Sequence, residues 1–103
     1  MNDREKITED ILAALKNVID PETGADVARM RLVLDLHVDE AGTAEYIFRP
    51  SSPLCPIALP LVMEIIEAVK FVEGVTDQKV TVVNYSGAEE LNKILASLPL
   101  SKS

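Results

Sequence analysis

The only cysteine of this 103-residue chain lies in the segment Ser51-Ser52-Pro53-Leu54-Cys55-Pro56, directly before the longest apolar stretch. Proline suits the first position of a helix because it lacks an N–H and has a fixed φ. With Pro56 there, Cys55 is the predicted N-cap, and the free N–H groups of the first turn point towards its sulfur. Such a setting favours the thiolate, which binds metals and attacks electrophiles. The alternative is a small side chain that only packs.

Carboxylates and the single histidine are the next candidates. Asp20 and Glu22 flank a proline in Asp20-Pro21-Glu22-Thr23-Gly24. An acid–base pair would need burial and a neighbour that separates the two pKa values, and the sequence shows neither, so a turn with solvated carboxylates is the simpler interpretation. His37 falls on the polar face of a predicted strand, where a solvated imidazole is the default and a metal ligand the minor alternative.

Several kinds of site are excluded by what the chain lacks. There is no Cys-x-x-Cys or His-x-x-x-His spacing, so thiolates and imidazoles of one chain cannot build a closed zinc or iron–sulfur site. A metal or cluster held by Cys55 would therefore take its other ligands from another chain or a small molecule. Glycine occurs only at positions 24, 42, 74 and 87, so no glycine-rich phosphate loop exists and no nucleotide is expected.

Composition narrows the class of protein. Hydrophobic residues make up 48% and charged residues 26%, which is typical of a folded globular domain. The net charge of −7, with scattered Lys and Arg, disfavours nucleic acid and anionic membrane surfaces as partners. One cysteine cannot form an internal disulfide, and neither a signal peptide nor a membrane span is apparent. These features predict a cytoplasmic protein.

The periodicity of apolar residues predicts six elements that would position these side chains. They are a helix over residues 8–18 with Thr8 as N-cap, a hairpin of strands 31–38 and 43–49, a helix over 56–72, a strand over 79–85 and a helix from a capping box at Ser86 to Leu98. Pro60 is awkward in the second helix, because a start nearer Pro60 would leave Cys55 in the preceding loop. The order α-β-β-α-β-α predicts one α/β (α+β) domain over residues 1–103. Its expected architecture is a two-layer sandwich with helices packed on a small mixed three-stranded sheet.

Several of these features together resemble a known family. They are Asp20-Pro21-Glu22 after an amphipathic helix, an alternating hairpin, Ser52-Pro53-Leu54-Cys55-Pro56 opening a helix, and Glu73-Gly74-Val75 before a strand. The combination, over residues 7–85, resembles the PaaD/SufT-like iron–sulfur cluster assembly domains, which are also found fused to P-loop cluster-carrier ATPases. The helix over about 87–98 lies beyond that region.

The resemblance implies an accessory role in assembling iron–sulfur clusters or transferring them to client proteins. Cys55 would then be the functional thiol and transient metal ligand, for iron or a cluster shared with another chain. By the same match, Asp20 and Glu22 lie in the family's characteristic loop, and Ser51 and Ser52 replace its usual threonines. The implied partners are client or carrier proteins, with a homodimer as a further arrangement.

Three departures from the family pattern stand out. Arg31 replaces the glycine of the usual Leu-Gly-Leu-Val segment before the hairpin, and Leu54 replaces the glycine usually found before Cys-Pro. A capped helix replaces the usual tail after the last strand.

Two further hypotheses come from other classes of protein. The chain could be an interaction module whose cysteine is structural, which its acidic balance and extra helix favour. It could also be a thiol-dependent redox enzyme, a weaker hypothesis because the chain has no resolving cysteine. Non-catalytic assembly is the leading prediction.

Overall fold

A computed structural model describes residues 3–21, 23–51, 54 and 57–98, and the predicted element order is confirmed. The elements are α1 (Asp3–Leu15), β1 (Val33–Val38), β2 (Thr43–Phe48), α2 (Ala58–Lys70), β3 (Asp77–Val82) and α3 (Ala88–Ser97). No helix in these ranges is both long and apolar enough to cross a membrane.

The three strands form one mixed sheet with β2 in the centre. β1 pairs with β2 antiparallel through a hairpin, and β3 pairs with β2 parallel after the α2 crossover. Along β2 the side chains of Ala44, Tyr46 and Phe48 are buried, whereas the alternate positions are half-exposed. This alternation fits a sheet that is covered on one face and open on the other.

Helices α1 and α2 pack against each other, α1 also contacts β1, and α3 packs beside β3. The mostly aliphatic α2 contributes the largest share of the core, and its buried residues recur at helical spacing. They are Ala58, Leu61, Val62, Ile65, Ile66 and Val69. The architecture is the expected two-layer α+β sandwich.

A buried polar network joins the sheet to α2. The Tyr46 hydroxyl donates to Gln78 Oε1 at 2.7 Å, and Gln78 Nε2 donates to the carbonyl of Ile66 at 3.0 Å. Burial raises the pKa of Tyr46, so its hydroxyl stays protonated and available as a donor. Because these buried polar groups are paired, β2, β3 and α2 are held in one arrangement.

A side chain of α3 completes the outer edge of β3. Asn92 Oδ1 accepts from the backbone N–H of Val82 at 2.8 Å, and Asn92 Nδ2 donates to the carbonyl of Val82 at 3.1 Å. The amide therefore makes the two hydrogen bonds that a neighbouring strand would make there.

The predicted start of the first helix is wrong. α1 begins at Asp3 instead of being capped by Thr8, and the Thr8 hydroxyl donates to the carbonyl of Arg4 at 2.9 Å, as expected for threonine inside a helix. The polar run before Thr8 contains good helix formers, which extend the helix in the N-terminal direction. α1 ends at Leu15, before the predicted residue 18.

The predicted N-caps of the other two helices are also wrong. The N-cap of α2 is Ile57, so Cys55 does not occupy that position, and the first helical bond runs from Leu61 N to Ile57 O at 2.9 Å. Pro60 is the third helical residue, where its missing N–H would have had no partner within the helix. α3 is preceded by Gly87 without a side-chain cap, so Ser86 does not form the predicted capping box.

Two strands differ from prediction in their bounds. β1 starts at Val33, and its strict alternation breaks at an irregularity between Leu34 and His37, where Asp35 has φ 52°. β3 covers Asp77–Val82 and ends before Tyr85. A bulge inserts an extra residue and so changes which side chains share a face, and no periodic pattern reveals it.

Candidate functional site

Three loop segments meet at one end of the sheet. Because β2 and β3 are parallel, their carboxyl ends lie together, and the antiparallel β1 begins at the same end. Residues 49–51 follow β2, residues 83–84 follow β3, and residues 31–32 precede β1. In α/β proteins this end of parallel strands is where ligands commonly bind.

Backbone hydrogen bonds extend the sheet order into these loops. Arg49 N donates to Leu32 O at 2.8 Å, and Val83 N donates to Phe48 O at 3.1 Å. Leu32 N in turn donates to the carbonyl of Val27 at 3.0 Å. The loops are therefore held by the same ladder that fixes the strands.

The loop containing Asp20 is tightly hydrogen-bonded. Asp20 is fully buried, its N–H donates to Ala25 O at 2.9 Å, and its carbonyl accepts from Gly24 N at 2.7 Å. Gly24 has φ 75°, a conformation that glycine adopts without strain. The Thr23 hydroxyl donates to the sulfur of Met30 at 3.0 Å, which links this loop to the segment before β1.

The same loop lies beside the start of α2, and a small cleft separates the two. Its volume is about 70 Å³, and Pro21 faces Ile57 and Pro60 across it. Leu61 and Glu64 complete the lining. The residue after Asp20 therefore lies next to the helical turn that follows Cys55 in the chain.

A larger cavity of about 620 Å³ lies at the carboxyl end of the parallel strands β2 and β3. Its lining combines polar and apolar side chains from all three segments. The lining residues are Met30, Arg31, Leu32, Leu34, Arg49, Pro50, Ser51 and Asn84. Ser51 is exposed at the rim, four residues before Cys55.

Of the five predicted site residues, the structure describes two. Asp20 is buried in its loop, and Ser51 is part of the lining of the larger cavity. Glu22, Ser52 and Cys55 lie outside the described residues. Within the described ranges, no three His, Cys, Asp or Glu side chains are grouped closely enough to hold a metal ion.

The histidine belongs to a row of charges on the open face of the sheet. His37 Nε2 lies 2.5 Å from Glu45 Oε2, and Lys79 Nζ lies 3.8 Å from Glu45 Oε1. The hydrogen bond with Glu45, and a second with the carbonyl of Asp35 at 3.1 Å, raise the pKa of His37 above its ordinary value. Cross-strand pairing accounts for these contacts.

Three residues of the larger cavity were not candidates on the basis of the sequence: Arg31, Arg49 and Asn84. Arg31 and Asn84 have φ 57° and 55°, in the left-handed region that non-glycine residues seldom adopt. The only signal in the sequence was Arg31 at a position where the resembled family has glycine. Arg49 and Asn84 come close only through the strand register, which the sequence does not reveal.

Comparison with known protein families identifies the family of this chain. Residues 8–82 match the model of a family described as iron-sulfur cluster assembly protein. The chain belongs to this family. The resemblance to iron–sulfur cluster assembly domains is thereby confirmed. Its general role is in iron–sulfur cluster assembly.

Curated relatives and solved structures agree with this assignment. An uncharacterized protein of Methanocaldococcus jannaschii is 36% identical over 87 residues, which is 84% of this chain and 92% of the relative. The Fe-S protein maturation auxiliary factor YitW of Bacillus subtilis is 35% identical over 79 residues, or 77% of this chain and 78% of that protein.

Two solved structures share the fold. A domain of unknown function (DUF59) from Bacillus anthracis aligns with a TM-score of 0.72 and 27% identity, over 93% of this chain and 96% of that one. A conserved hypothetical protein of Thermotoga maritima aligns with a TM-score of 0.63 and 33% identity, over 84% and 91% of the two chains.

Proposed function

We propose that this member of the iron–sulfur cluster assembly family transfers iron or an iron–sulfur cluster to client proteins, with the Cys55 thiolate as a transient ligand of that cargo. The relative YitW is named a maturation auxiliary factor for Fe-S proteins, which supports a transfer role over a resident cofactor. A reducing compartment keeps a lone thiol available. The proposed location is therefore the cytoplasm.

The observation that carries the proposal is the position of the Asp20 loop. Pro21 packs across a cleft from Ile57 and Pro60, in the first turn of α2. Pro21 of the Asp-Pro-Glu motif therefore lies beside Ile57, which comes two positions after Cys55 in the sequence. The buried Asp20 acts in this proposal as a positioning residue, because its backbone hydrogen bonds with Ala25 and Gly24 fix the shape of the loop that carries Pro21.

A single thiolate suits delivery better than storage. Clusters are commonly held by four cysteine thiolates, and this chain offers one. The remaining ligands would come from the client, the carrier or a second copy of the chain. Exchange of one protein thiolate for a client thiolate then releases the cargo without dismantling a closed site. Glu22, Ser51 and Ser52 are the proposed polar surroundings of the sulfur.

The test is anaerobic reconstitution with iron and sulfide, followed by gel filtration and measurement of iron retained per chain. The wild-type protein is expected to retain iron, and Cys55→Ser to lose it because a hydroxyl is a poor ligand for iron–sulfur clusters. The matched control moves the thiol in the double variant Cys55→Ser, Ala41→Cys, since Ala41 is exposed in the β1–β2 hairpin at the opposite end of the sheet.

The relocated thiol is expected to retain no more iron than Cys55→Ser alone. Equal iron retention by the wild type and Cys55→Ser would contradict the ligand role. Equal iron retention by the wild type and the relocated thiol would mean that any exposed thiol binds the iron, and that the loop around Cys55 contributes nothing.

A second candidate function, an interaction module with a structural cysteine, is favoured by exposed apolar side chains near the same helix. Leu54 is 77% exposed and Phe71 is 73% exposed, and Leu59 and Met63 are also exposed on α2. Such side chains suit contact with a client. This function predicts that Cys55→Ala still delivers full client activation in a coupled assay, whereas the transfer function predicts its loss.

A further inference from the structure

The larger cavity is unusual for a chain with net charge −7, because both ionisable side chains among its described lining residues are cationic. They are Arg31 and Arg49, and none of the described lining residues is acidic. The ion pairs among the described residues involve His37, Lys79 and Lys93. Neither arginine has a carboxylate of the described residues within 4.0 Å. Two arginines on neighbouring segments repel each other unless an anion lies between them.

The fold holds these arginines in place through the backbone. Val33 is opposite Phe48 in the β1–β2 ladder, and the next pair is Leu32 and Arg49, joined by the 2.8 Å hydrogen bond from Arg49 N. Arg31 is one residue further along. Arg31 is therefore one position beyond the residue that pairs with Arg49, so the two arginines lie on neighbouring segments at the same end of the sheet.

The backbone conformation at Arg31 indicates that a side chain is needed there. A φ of 57° is costly for a residue with a Cβ and free for glycine. Glycine would keep the turn but would remove the charge from the cavity. Strained residues of this kind concentrate at functional sites, where the rest of the fold stabilises them.

The rest of the lining defines what else a ligand would meet. Ser51 supplies a hydroxyl and Asn84 an amide, which are neutral hydrogen-bonding groups, whereas Met30 and Leu34 supply apolar surface. The volume of about 620 Å³ is in the range of sites for small organic molecules. A concave site of this size fits a small molecule better than a flat protein surface.

We infer that the cavity binds a small organic anion, with its carboxylate or phosphate oxygens on Arg31 and Arg49 and its carbon skeleton against Met30 and Leu34. Guanidinium groups form paired hydrogen bonds with both kinds of oxyanion. The inference does not depend on cargo binding by Cys55, and the two are tested separately.

The test is NMR titration of the amide signals of the full chain with citrate, succinate or inorganic phosphate, each at matched ionic strength in sodium chloride. Saturable shifts are expected at residues 31, 49, 51 and 84, and the better of the carboxylate and phosphate probes identifies the oxyanion. Arg49→Gln and Arg31→Gly should each weaken binding by about tenfold or more, since each removes charged hydrogen bonds.

Lys93→Gln is the charge-matched control, because Lys93 lies on α3 and is expected to leave the affinity unchanged. Arg31→Gly separates loss of binding from loss of folding, since glycine suits the backbone at this position. Cys55→Ser should bind the anion as the wild type does, whatever its iron content. Absence of saturation with all three probes, or wild-type affinity in Arg31→Gly, would overturn the inference.

Discussion

The two ends of the sheet both contain residues with positive φ, but they use different residue types there. At the glycine end, where β1 turns into β2 and β3 begins, Gly42 and Gly74 adopt φ 87° and 98°. At the cavity end, where β1 starts and β3 finishes, Arg31 and Asn84 adopt comparable positive φ values. Both ends need left-handed residues, yet only one of them uses glycine.

The glycine end is closely packed. A Cβ at Gly42 would lie 2.6 Å from the carbonyl oxygen of Gly74. The hydroxyl of Thr76 donates to Ala41 O at 2.7 Å, and Thr76 N donates to Gly42 O at 3.0 Å. No room is left for a side chain at Gly42, which explains the glycine there.

The cavity end has space, and it places side chains there at an energetic cost. Asparagine tolerates the left-handed conformation better than most residues, and arginine does not. Arg31 combines a strained backbone with a position beside the cavity, whereas Gly42 combines a relaxed backbone with close packing. The following predictions test that distinction.

The largest expected effect is at the glycine end, for Gly42→Ala. The new Cβ would meet the Gly74 carbonyl and also strain a φ of 87°, which together should reduce the free energy of unfolding by about 3 kcal/mol. Urea denaturation followed by circular dichroism measures this. Gly24→Ala is the matched control, because that glycine also has a positive φ but no atom within 4 Å of the added Cβ.

Gly24→Ala should show only the smaller conformational penalty, about 1 kcal/mol. If the two alanine variants were equally stable, close packing at the glycine end would not be the reason for glycine there.

A smaller effect of opposite sign is expected at the cavity end. Arg31→Gly should raise the free energy of unfolding by about 0.5–1 kcal/mol, since relief of the left-handed strain exceeds the extra entropy of glycine in the unfolded chain. Arg31→Ala removes the same charge but keeps the strain, so it should stay close to the wild type. A loss of stability in Arg31→Gly would mean that the arginine stabilises the fold, which would weaken the contrast between the two ends.

The smallest effect concerns pH. It comes from His37, whose imidazole changes charge near neutral pH. Its pKa is raised in the fold by the hydrogen bond with Glu45, so protonated His37 stabilises the fold below the ordinary value of 6.5. That contribution is lost as the pH rises through the raised pKa.

The stability difference between the wild type and His37→Gln should therefore shrink as the pH rises from about 6.5 through the raised pKa of His37. Thermal unfolding across this range measures the difference. In Glu45→Gln the NMR titration of His37 should move to lower pH, and an unchanged titration would argue against the hydrogen bond as the cause.

Local patterns in the sequence predicted the elements but not where the three helices begin. Alternating apolar residues identified β2, and the apolar stripe identified α2, because each pattern follows from burial of one face. Thr8 and Ser86 suggested N-caps, but helix-forming residues before Thr8 extended α1, and the chain took Gly87 at the start of α3. Near the start of α2, Pro56 and Pro60 both fit the preference for proline in the first turn of a helix, and the sequence alone did not decide between them.

The sequence predicted only part of the candidate site, and the reason differs from that for the helix starts. Asp20 and Ser51 belong to local motifs, and a motif can be read from neighbouring residues. Arg49 and Asn84 follow two different strands, and they share a cavity only because β2 and β3 run parallel. Such proximity depends on pairing between distant segments, which no single stretch of the chain encodes.

The amide of Asn92 has a consequence for assembly between molecules. An open strand edge invites another chain to add a strand, and at Val82 both backbone groups that would receive it are already engaged. α3 follows the segment matched by the family model, so this protection is added by residues outside the family core. A variant such as Asn92→Ala would leave that edge available to a second copy, and the growth of chain-to-chain β pairing would reveal it.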